Sequence, residues 1–221
     1  MTPSVEAAPR GTVAGIVILA CGALAVFAMA HHPSVEAHTP AQVIAEIGKI
    51  GPVNHAVHGA MIAIIAALLF GFTVFSMRRG LAKEAVLGGL IAQAIGTAAT
   101  IVAAMTSGFV ISGIAARYAT ASPKGLEFAA QAIGVGAGVV QLFGKLGVIG
   151  MTVAIVLWSI DLVRSPGPIR LTGVLGFAAG ALAVAIVVFG GHLTPQTLGV
   201  IVAGQAIWYC AVGALLIRRV L

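Results

Sequence analysis

The chain has 221 residues, of which 60% are hydrophobic and 8% charged, with a formal net charge of +6. A soluble domain is about 45–50% apolar and about 25% charged, so a water-soluble fold is excluded, as is disorder, which needs few hydrophobics and many charges. Two cysteines exclude a disulfide-built secreted module, and no basic stripe interleaved with aromatics speaks for nucleic acid. What remains is an all-α polytopic membrane protein, a helix bundle whose solvent is the lipid bilayer.

Crossing about 30 Å of hydrocarbon takes about 20 apolar residues in helical form. The first such run is 12–30. Arg10, this run and Ala28-Met29-Ala30 imitate a signal peptide, whose removal would leave His31 as an N-terminus able to grip copper. The run's 19 residues exceed the about 7–15 of a signal core, so it is read as a span. An outer loop over 31–54 then leads to a second span at 56–77, followed by a third at 85–112. The stretch 126–163 is also apolar, but as one helix it would measure about 57 Å, too long for one crossing. Gly134, Gly136 and Gly138 weaken its first part. The expectation is therefore an interfacial or re-entrant helix at 126–138 and a span at 140–163. Spans at 171–190 and 197–217 complete six in one membrane domain. Gly22-Ala23-Leu24-Ala25-Val26 recurs as Gly180-Ala181-Leu182-Ala183-Val184, which reads as three helical hairpins in tandem.

Charge fixes the orientation. Under six spans, Arg10, Arg78, Arg79, Lys83, Arg164, Arg170, Arg218 and Arg219 share one side. Only Lys49, Arg117 and Lys124 fall in loops on the other, with Lys145 inside a helix. This positive-inside bias places both termini in the cytoplasm. Asp161 sits three residues before Arg164 and is expected to pair with it.

The six histidines are His31, His32, His38, His55, His58 and His192. All fall at the outer ends of spans one, two and five or in the first outer loop. Neutral imidazole is a common ligand for zinc and copper, so these six are the candidate metal ligands, with Glu36 and Glu46 as oxygen donors or imidazole partners. His55 and His58 are three apart and share a helix face. No compact motif such as HExxH or paired CxxC is present, and interfacial placement alone suits an amphipathic imidazole. Copper or zinc is the leading cofactor expectation. A single b-type haem, with His58 facing His192 or His31, comes second. A two-haem electron carrier is excluded, because no second histidine pair lies toward the cytoplasmic side.

The polar intramembrane candidates are Gln141 and Lys145, on one face of span four, and Gln93 and Gln205, nearer mid-membrane. A lysine in a span is a functional candidate by default, although Lys145 lies close enough to the outer interface to snorkel. The two mid-membrane amides read as hydrogen-bonding glue between helices, and Gly176 with Gly180 as a close-packing GxxxG pair. Cys21 and Cys210 read as small hydrophobes. Ser107 is the one serine suggestive of an intramembrane hydrolase.

The second half carries Met105-Thr106-Ser107-Gly108-Phe109-Val110, Ala154-Ile155-Val156-Leu157-Trp158-Ser159, Gly191-His192-Leu193 and Gly204-Gln205-Ala206-Ile207-Trp208. With His32-Pro33 and His58, the chain resembles a group of uncharacterised bacterial six-helix integral membrane proteins. The resemblance implies a bacterial inner-membrane location and supplies no activity and no catalytic residues. Three functions follow as expectations. The first is a metal or haem protein facing the periplasm, for metal handling, redox chemistry or sensing. The second is an accessory subunit or scaffold of a larger membrane complex, or a homo-oligomer. The third is a transporter of a small or lipid-like substrate.

Overall fold

Proline and hydroxyl caps decide where most helices begin. Pro40, Pro123, Pro168 and Pro195 each occupy a first-turn position, where the missing N–H costs nothing. Thr39 with Gln42, and Thr194 with Thr197, add reciprocal capping boxes. The computed structural model, which describes residues 11–33 and 39–221, contains six helices. They are α1 (Thr12–Ala30), α2 (Pro40–Arg79), α3 (Glu84–Tyr118), α4 (Pro123–Leu162), α5 (Pro168–Phe189) and α6 (Pro195–Ile217). All six are long and apolar enough to cross a membrane. Arg10, Glu36 and His38 lie outside the described residues.

The lengths are unequal. Helices α2 and α4 have 40 residues each and α3 has 35, whereas α1, α5 and α6 have 19, 22 and 23. At 1.5 Å per residue the long three reach about 52–60 Å and the short three about 28–35 Å. Two sequence expectations are corrected here. The outer loop 31–54 is helical from Pro40 onward, passing through Pro52. The 126–138 segment is no separate interfacial or re-entrant helix but the first half of α4. Both extensions are held by packing beyond the span: Ile44 of α2, Ala115 of α3 and Ala129 of α4 form a buried cluster, with Ile47, Tyr118 and Ile133 against it. Burying several aliphatic side chains outweighs the about 1 kcal/mol that each interior glycine costs.

The helices form a ring in the order α1, α2, α3, α4, α5, α6, closed by α6 against α1. Side chains such as Ile16, Leu24, Ile91, Leu171, Val188 and Ile207 are exposed on the helices, as a lipid-facing surface should be. Close approach is paid for in glycine. A Cβ on Gly15 would stand 2.7 Å from Gly213 O, and one on Gly150 would stand 2.7 Å from Gly96 Cα. Thus α1 meets α6, and α3 meets α4, backbone to backbone. Gly176 and Gly180 instead make room for neighbouring side chains, those of Ser159, Trp208 and Val156, in keeping with the close packing of the GxxxG reading.

Toward the basic end the ring is filled by an aromatic layer that the sequence reading did not anticipate. Phe72, Phe75, Trp158 and Trp208 are fully buried and Tyr209 nearly so. Phe72 stacks on Trp158 at 4.9 Å and on Trp208 at 5.6 Å, while Phe75 meets Trp158 edge-on at 5.5 Å. Trp158 Nε1 donates to Val86 O at 3.2 Å. Below this layer Asp161 is clamped by Arg79 at 2.6 Å and Lys83 at 2.9 Å. The expected Asp161–Arg164 pair is therefore corrected. Helix α4 stops at Leu162, so Arg164 turns out to the surface while the carboxylate points inward across the ring. Arg78 donates to Leu221 O at 2.6 Å, tying α2 to the chain segment after α6.

Candidate functional site

Above the aromatic layer the ring encloses a cavity of about 260 Å³. Its walls are Ala, Val, Leu, Ile and Met side chains from α1, α2, α3, α4 and α6, among them Ile64, Leu68, Ala104, Val148 and Ile201. No Asp, Glu, Lys or Arg among the described residues lines it. Leu68 lies ten residues below His58 on α2, and Gln205 ten below Pro195 on α6, so the cavity is about 15 Å deep. A groove between α1 and α6, lined by Val26, Ala30, Gln196 and Val200, shares Met29, His32 and Pro195 with the cavity. It gives the mouth a sideways opening toward the lipid.

Two imidazoles stand at the mouth. His58 is buried on α2 and His32 is half-buried just past α1, with ring centroids 5.2 Å apart in an edge-to-face arrangement. Nδ1 of His58 lies 2.9 Å from Asn54 O, and Nδ1 of His32 lies 2.9 Å from Pro33 O. A carbonyl can only accept, so each Nδ1 carries the proton and each Nε2 keeps its lone pair. Burial pushes the His32 imidazole below its ordinary pKa, opposed in part by the Pro33 hydrogen bond.

The position of His58 is built from sequence upward. Helix α3 contains a π-helical turn at Thr106–Ile111, and a π turn frees backbone groups from the α pattern. Asn54 Nδ2 serves it, donating to Ser107 O at 3.2 Å and to Ser112 Oγ at 2.7 Å. Gly108 within that turn faces the His58 side chain so closely that any Cβ would collide with it. Asn54→Ala is expected to lower stability by about 2 kcal/mol, the cost of stranding a buried carbonyl and hydroxyl. Unfolding by denaturing detergent, followed by circular dichroism, checks this. A loss below about 0.5 kcal/mol would show that water replaces the amide.

Among the described residues, the other histidines do not converge on the mouth. His31 is exposed, with Nδ1 on Phe27 O at 2.9 Å and its ring 4.3 Å from Phe27. His55 is exposed and stacks flat on Phe109 at 5.2 Å, so it parts company with His58 despite the shared helix. His192 is exposed in the α5–α6 loop. Among the described residues no group of three or more His, Cys, Asp or Glu could hold a metal ion. The six-histidine metal site is thus reduced, within the described residues, to one pair.

The polar candidates divide. Gln141 lines the cavity and holds Leu193 twice, Nε2 donating to Leu193 O at 2.9 Å and Oε1 accepting from Leu193 N at 3.0 Å. It fastens the α5–α6 loop over the rim. Lys145, one turn on, is half-buried and lies off the cavity. Gln93 bonds along its own helix, to Thr97 at 3.5 Å, which corrects its expected role as glue between helices. Gln205 forms the cavity floor with Tyr209, whose hydroxyl donates to Gln205 Oε1 at 3.3 Å. Its Nε2 is buried with no partner among the described residues. Ser107 lines the cavity but bonds to neither imidazole, so no nucleophile–base pair forms.

The site therefore has two imidazole acceptors at the top, Gln205 and Tyr209 at the bottom and a mostly hydrocarbon lining between. The aromatic layer and the Asp161 clamp seal its lower side. A scan against protein-family models, a search of curated proteins and a search of solved structures each gave no match to this chain.

Proposed function

We propose that this multi-pass membrane protein takes up one small apolar or amphipathic molecule in the cavity and presents or carries it at the histidine end. The observation that carries this reading is the apolar cavity that opens at the histidine end and is floored by Gln205 and Tyr209. Ligand sites are commonly apolar concavities of about 300–1,000 Å³ with few, placed polar groups, and this one, at about 260 Å³, falls just below that range. That size suits a single ring or a short acyl segment. The inner end of the ligand would lie against the apolar walls, and the outer end would meet the imidazoles or the lipid-side groove. An ion path is disfavoured, because the walls carry no charge among the described residues and an aromatic layer lies across the axis. With the basic end placed in the cytoplasm by the positive-inside rule, the mouth opens to the periplasm of a bacterial inner membrane. A haem is disfavoured, since the edge-to-face imidazoles leave no gap between them for a macrocycle.

Native mass spectrometry from a mild detergent tests the reading. One discrete added mass per chain, displaced by heating, is expected. A bare chain, or a ladder matching bulk membrane lipid, would sink it. A second reading, a subunit of a larger assembly or homo-oligomer, is favoured by Val53, Phe128 and Val135. These are exposed at 57%, 57% and 71% on the helix extensions, which rise past the short helices.

A further inference from the structure

Four side chains at the mouth come from two helix segments in mirrored order. Met29 and His32 are three residues apart at the end of α1, and His58 and Met61 are three apart on α2. All four line the same cavity. Each imidazole donates its Nδ1 proton to backbone, to Pro33 O and to Asn54 O, so both are fixed in the tautomer that offers Nε2 as a ligand. Two imidazoles bound through nitrogen to one tetrahedral ion at about 2.0 Å bring their ring centroids to about 5 Å. The observed separation is 5.2 Å.

The donor set selects the ion. Thioether sulfur is soft and favours a cuprous ion, while imidazole accepts copper and zinc alike. No third His, Cys, Asp or Glu joins the pair among the described residues, so the thioethers are what complete the set. All four ligands are neutral. Burying an ion beside hydrocarbon is expensive, and the cost grows with the square of its charge, so a monovalent ion is preferred to a divalent one. We propose that Met29, His32, His58 and Met61 form a cuprous-ion site at the mouth of the cavity. The site rests on the rim side chains and is independent of what fills the space below.

The test is an anaerobic titration of the purified full chain in detergent against cuprous ion held by bicinchoninate, with X-ray absorption on the loaded protein. One equivalent per chain should be withdrawn, with nitrogen and sulfur neighbours at the metal. The paired substitution Met29→Leu with Met61→Leu preserves volume and apolarity. It should weaken binding by about tenfold or more, and His32→Ala by a similar factor, against the 10–100-fold range for disturbed metal sites. Melting of the copper-free variants separates lost ligands from lost folding. No withdrawal by the parent protein, withdrawal untouched by these substitutions, or a metal with nitrogen neighbours alone would each overturn the site. Ala104→Phe, deeper in the cavity, should keep the copper while losing the apolar ligand, so the two proposals fail separately.

Discussion

Asp161→Ala is expected to destabilise the fold by about 3 kcal/mol, the lower end of the cost of stranding one partner of a buried ion pair. The carboxylate is almost fully buried, with side-chain exposure of 6%, and Arg79 is exposed by only 12%. Removing the acid leaves that guanidinium with Ser165 Oγ at 3.2 Å and little water. Lys83 is different, because its side chain is 51% exposed and can return to solvent. Lys83→Ala should therefore cost less than about 1 kcal/mol, as exposed pairs do. The contrast carries the argument, and unfolding in denaturing detergent measures it. If both substitutions cost the same, Arg79 is hydrated in the native state and the clamp is ordinary surface pairing. Asp161→Asn, which keeps an acceptor for Arg79, should fall between them.

The second large effect is on binding. Ala104→Phe places a benzyl group in the cavity of about 260 Å³. It displaces contacts worth about 3 kcal/mol, so affinity for the apolar ligand should drop at least about a hundredfold. Stability should change little or rise, because the new ring fills space instead of overpacking a core. Native mass spectrometry and a melting curve on the same preparation read both quantities. A variant that melts earlier yet retains the ligand would move the binding site elsewhere. Gln205→Leu gives the contrast. It removes the acceptor of the Tyr209 hydroxyl at the floor without changing volume much, and should lower stability by about 1 kcal/mol, the worth of one hydrogen bond, with little change in ligand affinity.

Much of the fold was legible because bilayer constraints are simple. Six apolar runs are enough to count spans, and the structure has six helices in their places. The errors sit where tertiary packing overrides local signals. Pro52, Gly134, Gly136 and Gly138 look like breakers in isolation, but Ile44, Ala115 and Ala129 pack together past the span and hold the helices continuous. Asp161 was paired with its sequence neighbour, because nothing local reveals that Arg79 and Lys83 cross the ring to reach it. The site was half visible. His32 and His58 were among six candidate ligands, and their selection depends on the π turn, Asn54 and Gly108, none of which carries a periodic signature. Met29 and Met61, set in apolar runs, carry no ligand signature of their own. The aromatic layer left one faint trace, the i, i+3 spacing of Phe72 and Phe75, with Trp158 and Trp208 contributed from helices 50 residues apart.

The unequal helix lengths bear on how any ligand arrives. Extensions of α2, α3 and α4 stand beside the mouth on one flank, while α1 and α6, on the other, end near membrane level with a groove between them. For the proposed ligand, access would then be lateral, from the acyl phase, and the relevant concentration would be a mole fraction in lipid rather than a molarity in water. Affinities measured in detergent or vesicles should scale with the lipid-to-protein ratio. A weak aqueous dissociation constant would still correspond to a fully occupied protein in a membrane where the ligand partitions strongly.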